Sequence, residues 1–195
     1  KKNLINEVAA TLAFSAVKNN DKVGCILFSD RVEKFIPPKK GRSHILAIIR
    51  ELVGFRPTGQ GTALSEALRY LVGVNKKRTT CFLLSDLVNN PADNGALEDA
   101  LKIASSRHDI MAVRVFDRRD TELPNVGIIE LRDAETGAME WVDTSSRRVR
   151  RYWAESYAEH RDKVCSLLRH HHVDIAEVAT DGDYVVELIK MFKQR

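Results

Sequence analysis

At 195 residues the chain is long enough to bury one core, and 44% hydrophobic with 30% charged residues exclude a collagenous, coiled-coil or disordered chain. Its 31 Lys and Arg against 27 Asp and Glu give a formal charge of +4 with both signs interspersed, too mild an excess for a nucleic-acid-binding face. No apolar run approaches the roughly 20 residues that span a bilayer, and the sequence in hand carries no signal-peptide pattern.

Over residues 3–19, Leu4, Ile5, Val8, Ala9, Leu12, Ala13, Ala16 and Val17 recur at helical spacing and predict a helix with one buried stripe. Residues 23–28 are continuously apolar, as in an interior strand of a parallel sheet covered on both faces. Residues 31–36 are more polar and are stopped by Pro37-Pro38, which suits an edge strand. A helix is expected over 43–53 with Ser43 as its N-cap, and another after the loop 54–61 and Thr62. A second buried strand over 79–84 ends at Ser85-Asp86, and the loop Asn89-Asn90-Pro91 follows. The alternation continues with a helix over 95–107 and a strand over 110–116. Two strands over 127–131 and 139–142 are joined by a turn at 133–137. A long helix fills 145–171, and a short strand over 173–178 and a helix over 183–192 close the chain.

Helices alternating with short apolar strands predict an α/β fold: a three-layer, mostly parallel, doubly wound sheet of Rossmann-like type, with one antiparallel edge strand. With no repeat or linker, residues 1–195 read as a single domain. In such sheets ligands bind beyond the C-terminal strand ends, here Ser29-Asp30, Ser85-Asp86 and Asp117.

Two of these places carry candidate chemistry. Gly59, Gly61 and Thr62 stand before a helix N-terminus, where backbone N–H groups favour anions; a flexible turn with Thr62 as N-cap explains them equally well. Asp86, after Ser85 at the end of a buried strand, suits Mg²⁺ binding through a short acid, or a turn held by its own carboxylate. Thr62 and Asp86 together are hard oxygen donors for one hard cation, with Gly59, Gly61, Ser85 and Asp30 as the surrounding binding surface. Other signals read as structural. The run Arg147, Arg148, Arg150 and Arg151 is a solvated helix face, and Tyr152, Trp153 and Tyr157 are expected to pack on the sheet. His170-His171-His172 ends a helix, and Asp181-Gly182-Asp183 caps the next. Cys25, Cys81 and Cys165 are free thiols of a reducing compartment. Hydrolase, zinc-protease, redox and phosphotransfer motifs are absent, so the chain is expected not to be an enzyme.

A resemblance adds to this. Leu-Ala-Phe-Ser-Ala at 12–16, Leu-Phe-Ser-Asp at 27–30, Gly61-Thr62, Leu84-Ser85-Asp86, Arg107-His108-Asp109 and Val142-Asp143-Thr144-Ser145 resemble the von Willebrand factor A-like domain of the bacterial domain-of-unknown-function 58 family, over essentially the whole chain. The resemblance implies a non-catalytic protein-interaction module with a metal-ion-dependent adhesion site. There Thr62 and Asp86 join an Asp-x-Ser-x-Ser motif on a first, central strand to hold Mg²⁺. That motif is not among these residues, so the chain is expected to be N-terminally incomplete and to hold no metal by itself. Asp143-Thr144-Ser145-Ser146-Arg147 is similar but departs at Arg147 and reads as the start of the long helix. The implied partner offers an acidic side chain, with a MoxR-type AAA+ ATPase as the family's implication. The implied location is cytoplasmic, tethered through an upstream membrane anchor. Two alternatives stand beside this reading: a Mg²⁺-dependent hydrolase or phosphotransferase using Asp86, and a degenerate domain that binds without metal. The missing strand's slot is expected between strands 23–28 and 79–84.

Overall fold

The computed structural model describes residues 1–59, 61–88, 93–132 and 139–193, without the side chains of Asn94 and Arg132. Helix α1 (Lys2–Lys18) leads into β1 (Val23–Phe28) and β2 (Val32–Lys39), followed by α2 (Arg42–Gly54), α3 (Leu64–Val74) and β3 (Thr80–Ser85). Next come α4 (Asn94–Arg107), β4 (Asp109–Phe116), the single turn α5 (Arg118–Thr121), and the hairpin β5 (Ile128–Arg132) and β6 (Met139–Asp143). The long α6 (Arg147–His170), β7 (Asp174–Ala179) and α7 (Tyr184–Lys193) complete the chain. The turn expected at 133–137 and the loop Asn89-Asn90-Pro91 lie outside the described residues.

The parallel sheet has the order β3-β4-β7, with Thr80 beside Asp109 and Met111 beside Asp174. Alternation along β4 splits two cores. Met111, Val113 and Val115 pack with Ala176 and Val178 under Leu4 and Val8 of α1 and Leu188 and Met191 of α7. Ile110 and Ala112 face the other way, onto Leu64 and Leu68 of α3, Leu97, Leu101 and Ala104 of α4, and Val164 and Leu168 of α6. The result is three layers, α/β and Rossmann-like, because each helix buries one apolar stripe and a parallel sheet needs cover on both faces.

β1 pairs antiparallel with β2 in a separate ribbon. Among the described residues β1 does not pair with β3. The two strands share a neighbour in α1, whose Leu4 and Val8 pack with Phe82 and Leu84 of β3 while Ala13 packs with Val23 and Cys25 of β1. β4 is buried almost throughout, whereas Cys25, Ile26, Cys81, Phe82 and Leu84 are only half-buried. Two apolar strands thus each present an edge unpaired among the described residues.

Four local expectations need correction. β2 does not stop at Pro37-Pro38 but runs through them to Lys39. As an edge strand it tolerates residues without N–H, and the register shifts at Gly24, where a Cβ would lie 2.9 Å from the Ile36 carbonyl oxygen. α2 starts at Arg42, placing Ser43 inside it, because Gly41 turns the chain at the N-cap with φ 103°. Thr62 does not cap α3: Ala63 holds that position, and Asp93 supplies the cap by accepting from the Ser65 N–H at 3.1 Å and from its hydroxyl. Tyr152 does not pack on the sheet and is 73% exposed, whereas Trp153 donates its indole N–H to the Asp120 carbonyl at 2.9 Å.

Candidate functional site

The C-terminal strand ends form two groups of residues. At the end of β1, Ser29 is buried and its carbonyl accepts from the Ala63 N–H at 2.8 Å, tying β1 to the start of α3. Its hydroxyl donates to Glu33 at 2.6 Å, and Glu33 also accepts from the Thr58 N–H at 2.9 Å, the Thr58 hydroxyl at 3.0 Å and the Gly59 N–H at 3.0 Å. The Ser29 hydroxyl and the two backbone donors hold the Glu33 carboxyl down to about 2, since each bond is worth more to the charged form. Gly59 passes so close to β1 that a Cβ there would fall 1.8 Å from an Asp30 carboxylate oxygen and 2.4 Å from the Ser29 hydroxyl. Gly61 takes φ 87°, a conformation glycine adopts without steric cost, and half-buried Thr62 follows it.

At the end of β3, the buried Ser85 hydroxyl accepts from the Leu87 N–H at 3.0 Å, and Asp86 accepts from the Val88 N–H at 3.2 Å. Leu87 is buried yet sits at φ 58°, a left-handed conformation that costs a non-glycine residue about 1–3 kcal/mol. The Ser85 and Asp86 side-chain bonds to the Leu87 and Val88 N–H groups hold that turn in place. The Lys1 ammonium lies 3.4 Å from Asp86 and 2.6 Å from Asp120. Burial acts to lower the Lys1 pKa, but hydrogen bonding to Asp120 and the charges of Asp86 and Asp120 outweigh it and leave the group raised. Asp117 completes this side. It accepts from the Arg119 N–H at 2.9 Å and from Thr180 at 3.1 Å, which lower its pKa in that order, while Asp120 accepts from the Asp117 N–H in a capping box around α5.

Of the sequence-predicted residues, Asp30 and Gly59 are in direct apposition, and Ser85 and Asp86 share one turn. Among the described residues no hydrogen bond joins Thr62 to Asp86, and no group of three or more His, Cys, Asp or Glu side chains is placed to hold a metal ion. Chemically the crevice is acidic and hydroxyl-rich and already draws one ammonium. Asp143 accepts from the Ser145 N–H at 2.9 Å, Thr144 donates to the Gly127 carbonyl at 2.6 Å, and Arg150 of α6 donates to the Ser145 carbonyl at 2.9 Å, so that segment ties the hairpin to α6.

Sequence reasoning missed several residues here. Glu33 and Asp93 each hold a loop or helix start far away in the chain, and no local pattern marks them. Lys1, Asp120 and α5 are equally silent. Arg114 did carry a signal, a lone cation in the apolar strand 110–116, and it is 4% exposed within the sheet.

Comparison with known proteins bears on this geometry. The model of a family described as a protein of unknown function, DUF58, matches residues 1–163. An uncharacterized protein of Mycobacterium tuberculosis is 25% identical over 199 residues, covering 100% of this chain and 61% of the relative. Another, of Mycobacterium avium, is 28% identical over 165 residues, covering 82% of this chain and 93% of the relative. The chain therefore spans about three fifths of the Mycobacterium tuberculosis relative. Among solved structures, the crystal structure of the conserved hypothetical protein BatB from Bacteroides thetaiotaomicron superposes with a TM-score of 0.54 at 20% identity, covering 96% of this chain and 88% of that one. That likeness concerns the fold. No helix among the described residues is long and apolar enough to cross a membrane.

Proposed function

The chain belongs to the DUF58 family, and on that premise we propose that it is a non-catalytic protein-interaction module of von Willebrand factor A-like type, binding its partner at the C-terminal strand ends. The observation that carries this reading is the pair of contacts from Lys1 to Asp86 and Asp120, at 3.4 and 2.6 Å. An acidic crevice that orders an ammonium has the electrostatics to order a divalent cation or a partner's cationic side chain.

In the metal-dependent form, Thr62 and Asp86 would hold Mg²⁺, which supplies an open coordination position for a partner's carboxylate. Their donor chemistry fits a hard cation, but their number does not: two oxygens stand against the roughly six of an octahedral shell. The remaining oxygens would come from a strand entering the slot between β1 and β3. In this form the partner would offer an acidic side chain, and a MoxR-type AAA+ ATPase is the class implied by the resemblance in sequence. Metal-free capture is the second reading, favoured because Lys1 already neutralises part of the crevice. Pull-down from an extract with and without EDTA separates the two, and Asp86→Ala removes capture in either. Capture that survives Asp86→Ala but is lost on neutralising Arg147, Arg148, Arg150 and Arg151 places the interaction elsewhere.

A further inference from the structure

Away from the strand ends, a cavity of about 300 Å³ lies between α6 and the sheet, lined by Arg114, Phe116, Thr121, Tyr157, Arg161 and Glu177, with Ala154 and Ala158 at its wall. Arg114 and Glu177 are register partners on β4 and β7, and both face α6. The Arg114 guanidinium lies 5.2 Å from the ring centres of both Phe116 and Tyr157, donates to Glu177 at 3.0 Å and also donates to the Tyr157 hydroxyl. Arg161, across the cavity on α6, makes a two-point pair with the same Glu177, with its Nε at 2.8 Å.

One carboxylate thus serves two guanidiniums. The lining holds two guanidiniums against one carboxylate, and Arg114, whose side chain is only 5% exposed, has little solvent to screen its charge. Asp162 also touches Arg161, at 3.2 Å, but it is 69% exposed, lies outside the lining and is screened by solvent. Tyr157 is held neutral, its pKa raised chiefly by burial. A cavity with apolar walls, aromatic rings clamping a planar guanidinium and a single surplus cation matches one ligand chemistry.

We propose that this cavity binds a small organic monoanion, a carboxylate on a compact apolar or aromatic body. The carboxylate meets the N–H edge of Arg114 and the body lies along Phe116, Ala154 and Ala158. Glu177 makes the site selective, because its own charge repels a dianion while leaving room for a single negative charge.

Titration of the chain with sodium benzoate, benzamide and sodium phosphate at constant ionic strength, followed by amide NMR and thermal unfolding, tests this. Saturable benzoate shifts centred on Thr121, Ala154 and Tyr157, with no response to benzamide, are expected. Ala158→Phe fills the rim without removing a hydrogen bond and should weaken benzoate at least tenfold; Arg114→Gln should abolish it. If Arg114→Gln fails to fold, Ala158→Phe still decides. An absent or non-saturating benzoate response, an equal response to benzamide, stronger binding of phosphate, or indifference to Ala158→Phe would each overturn the proposal.

Discussion

The cluster of Arg114, Arg161 and Glu177 makes an asymmetric prediction about stability. Glu177→Gln keeps the volume and one acceptor but removes the carboxylate charge paired with Arg114, whose side chain is 5% exposed. Stripping the partner from a buried ion costs roughly 3–5 kcal/mol. The adjoining cavity admits solvent and Glu177 is itself 24% exposed, so the low end, about 3 kcal/mol, applies. Arg161→Gln removes the other half of the pairing, but that guanidinium is 39% exposed and Arg114 keeps its carboxylate, so the cost should be under about 1 kcal/mol. The double change Arg114→Met with Glu177→Leu should fall within about 1 kcal/mol of the parent, since removing both charges also removes their desolvation. Urea unfolding followed by tryptophan fluorescence measures all four proteins, and the Glu177→Gln loss corresponds to roughly 6–12 °C in Tm for a chain of this size. If Arg161→Gln costs as much as Glu177→Gln, or if Glu177→Gln costs less than about 1 kcal/mol, the buried-charge reasoning fails.

Other expectations follow from the same structure. Glu33 has its carboxyl lowered from 4.5 to about 2 by Ser29, Gly59 and Thr58. Its contribution is complete above 4.5 and is lost as pH falls through about 2, so the stability gap between the parent and Glu33→Gln should close across that window in acid-unfolding curves. Gly59→Ala puts a methyl 1.8 Å from Asp30 and 2.4 Å from Ser29, so nuclear magnetic resonance should show β1-end and loop amides shifting together at a cost of about 1–3 kcal/mol; an unchanged spectrum contradicts the close approach. Burial pushes Cys25 and Cys81 up to about 11, so a thiol reagent at pH 8 should label them slowly in the folded chain and rapidly in urea. Calorimetry should find Mg²⁺ binding to these residues weak or undetectable, and tight Asp86-dependent binding would point to a complete site within the chain.

Periodicity determined most of the secondary structure, because each helix must turn one stripe inward and each interior strand must be apolar on both faces. Leu4, Val8 and Ala13 announced α1, and the mostly apolar run 110–116 announced a strand, though not that it would lie at the centre of its sheet. Gly-Thr before a helix and Ser-Asp after a strand were legible as candidate chemistry because both sit where open sheets keep their ligands. Only the tertiary structure decided what surrounds them. Asp93 caps α3 from 28 residues away, Glu33 holds Thr58 and Gly59, and Lys1 reaches Asp86 across 85 residues. Such pairings depend on which loops the sheet order brings together, and sequence spacing carries no trace of that order. The same holds for the two edges left unpaired among the described residues: the apolar runs of β1 and β3 make each an interior strand in sequence, but backbone pairing decides which strands become neighbours.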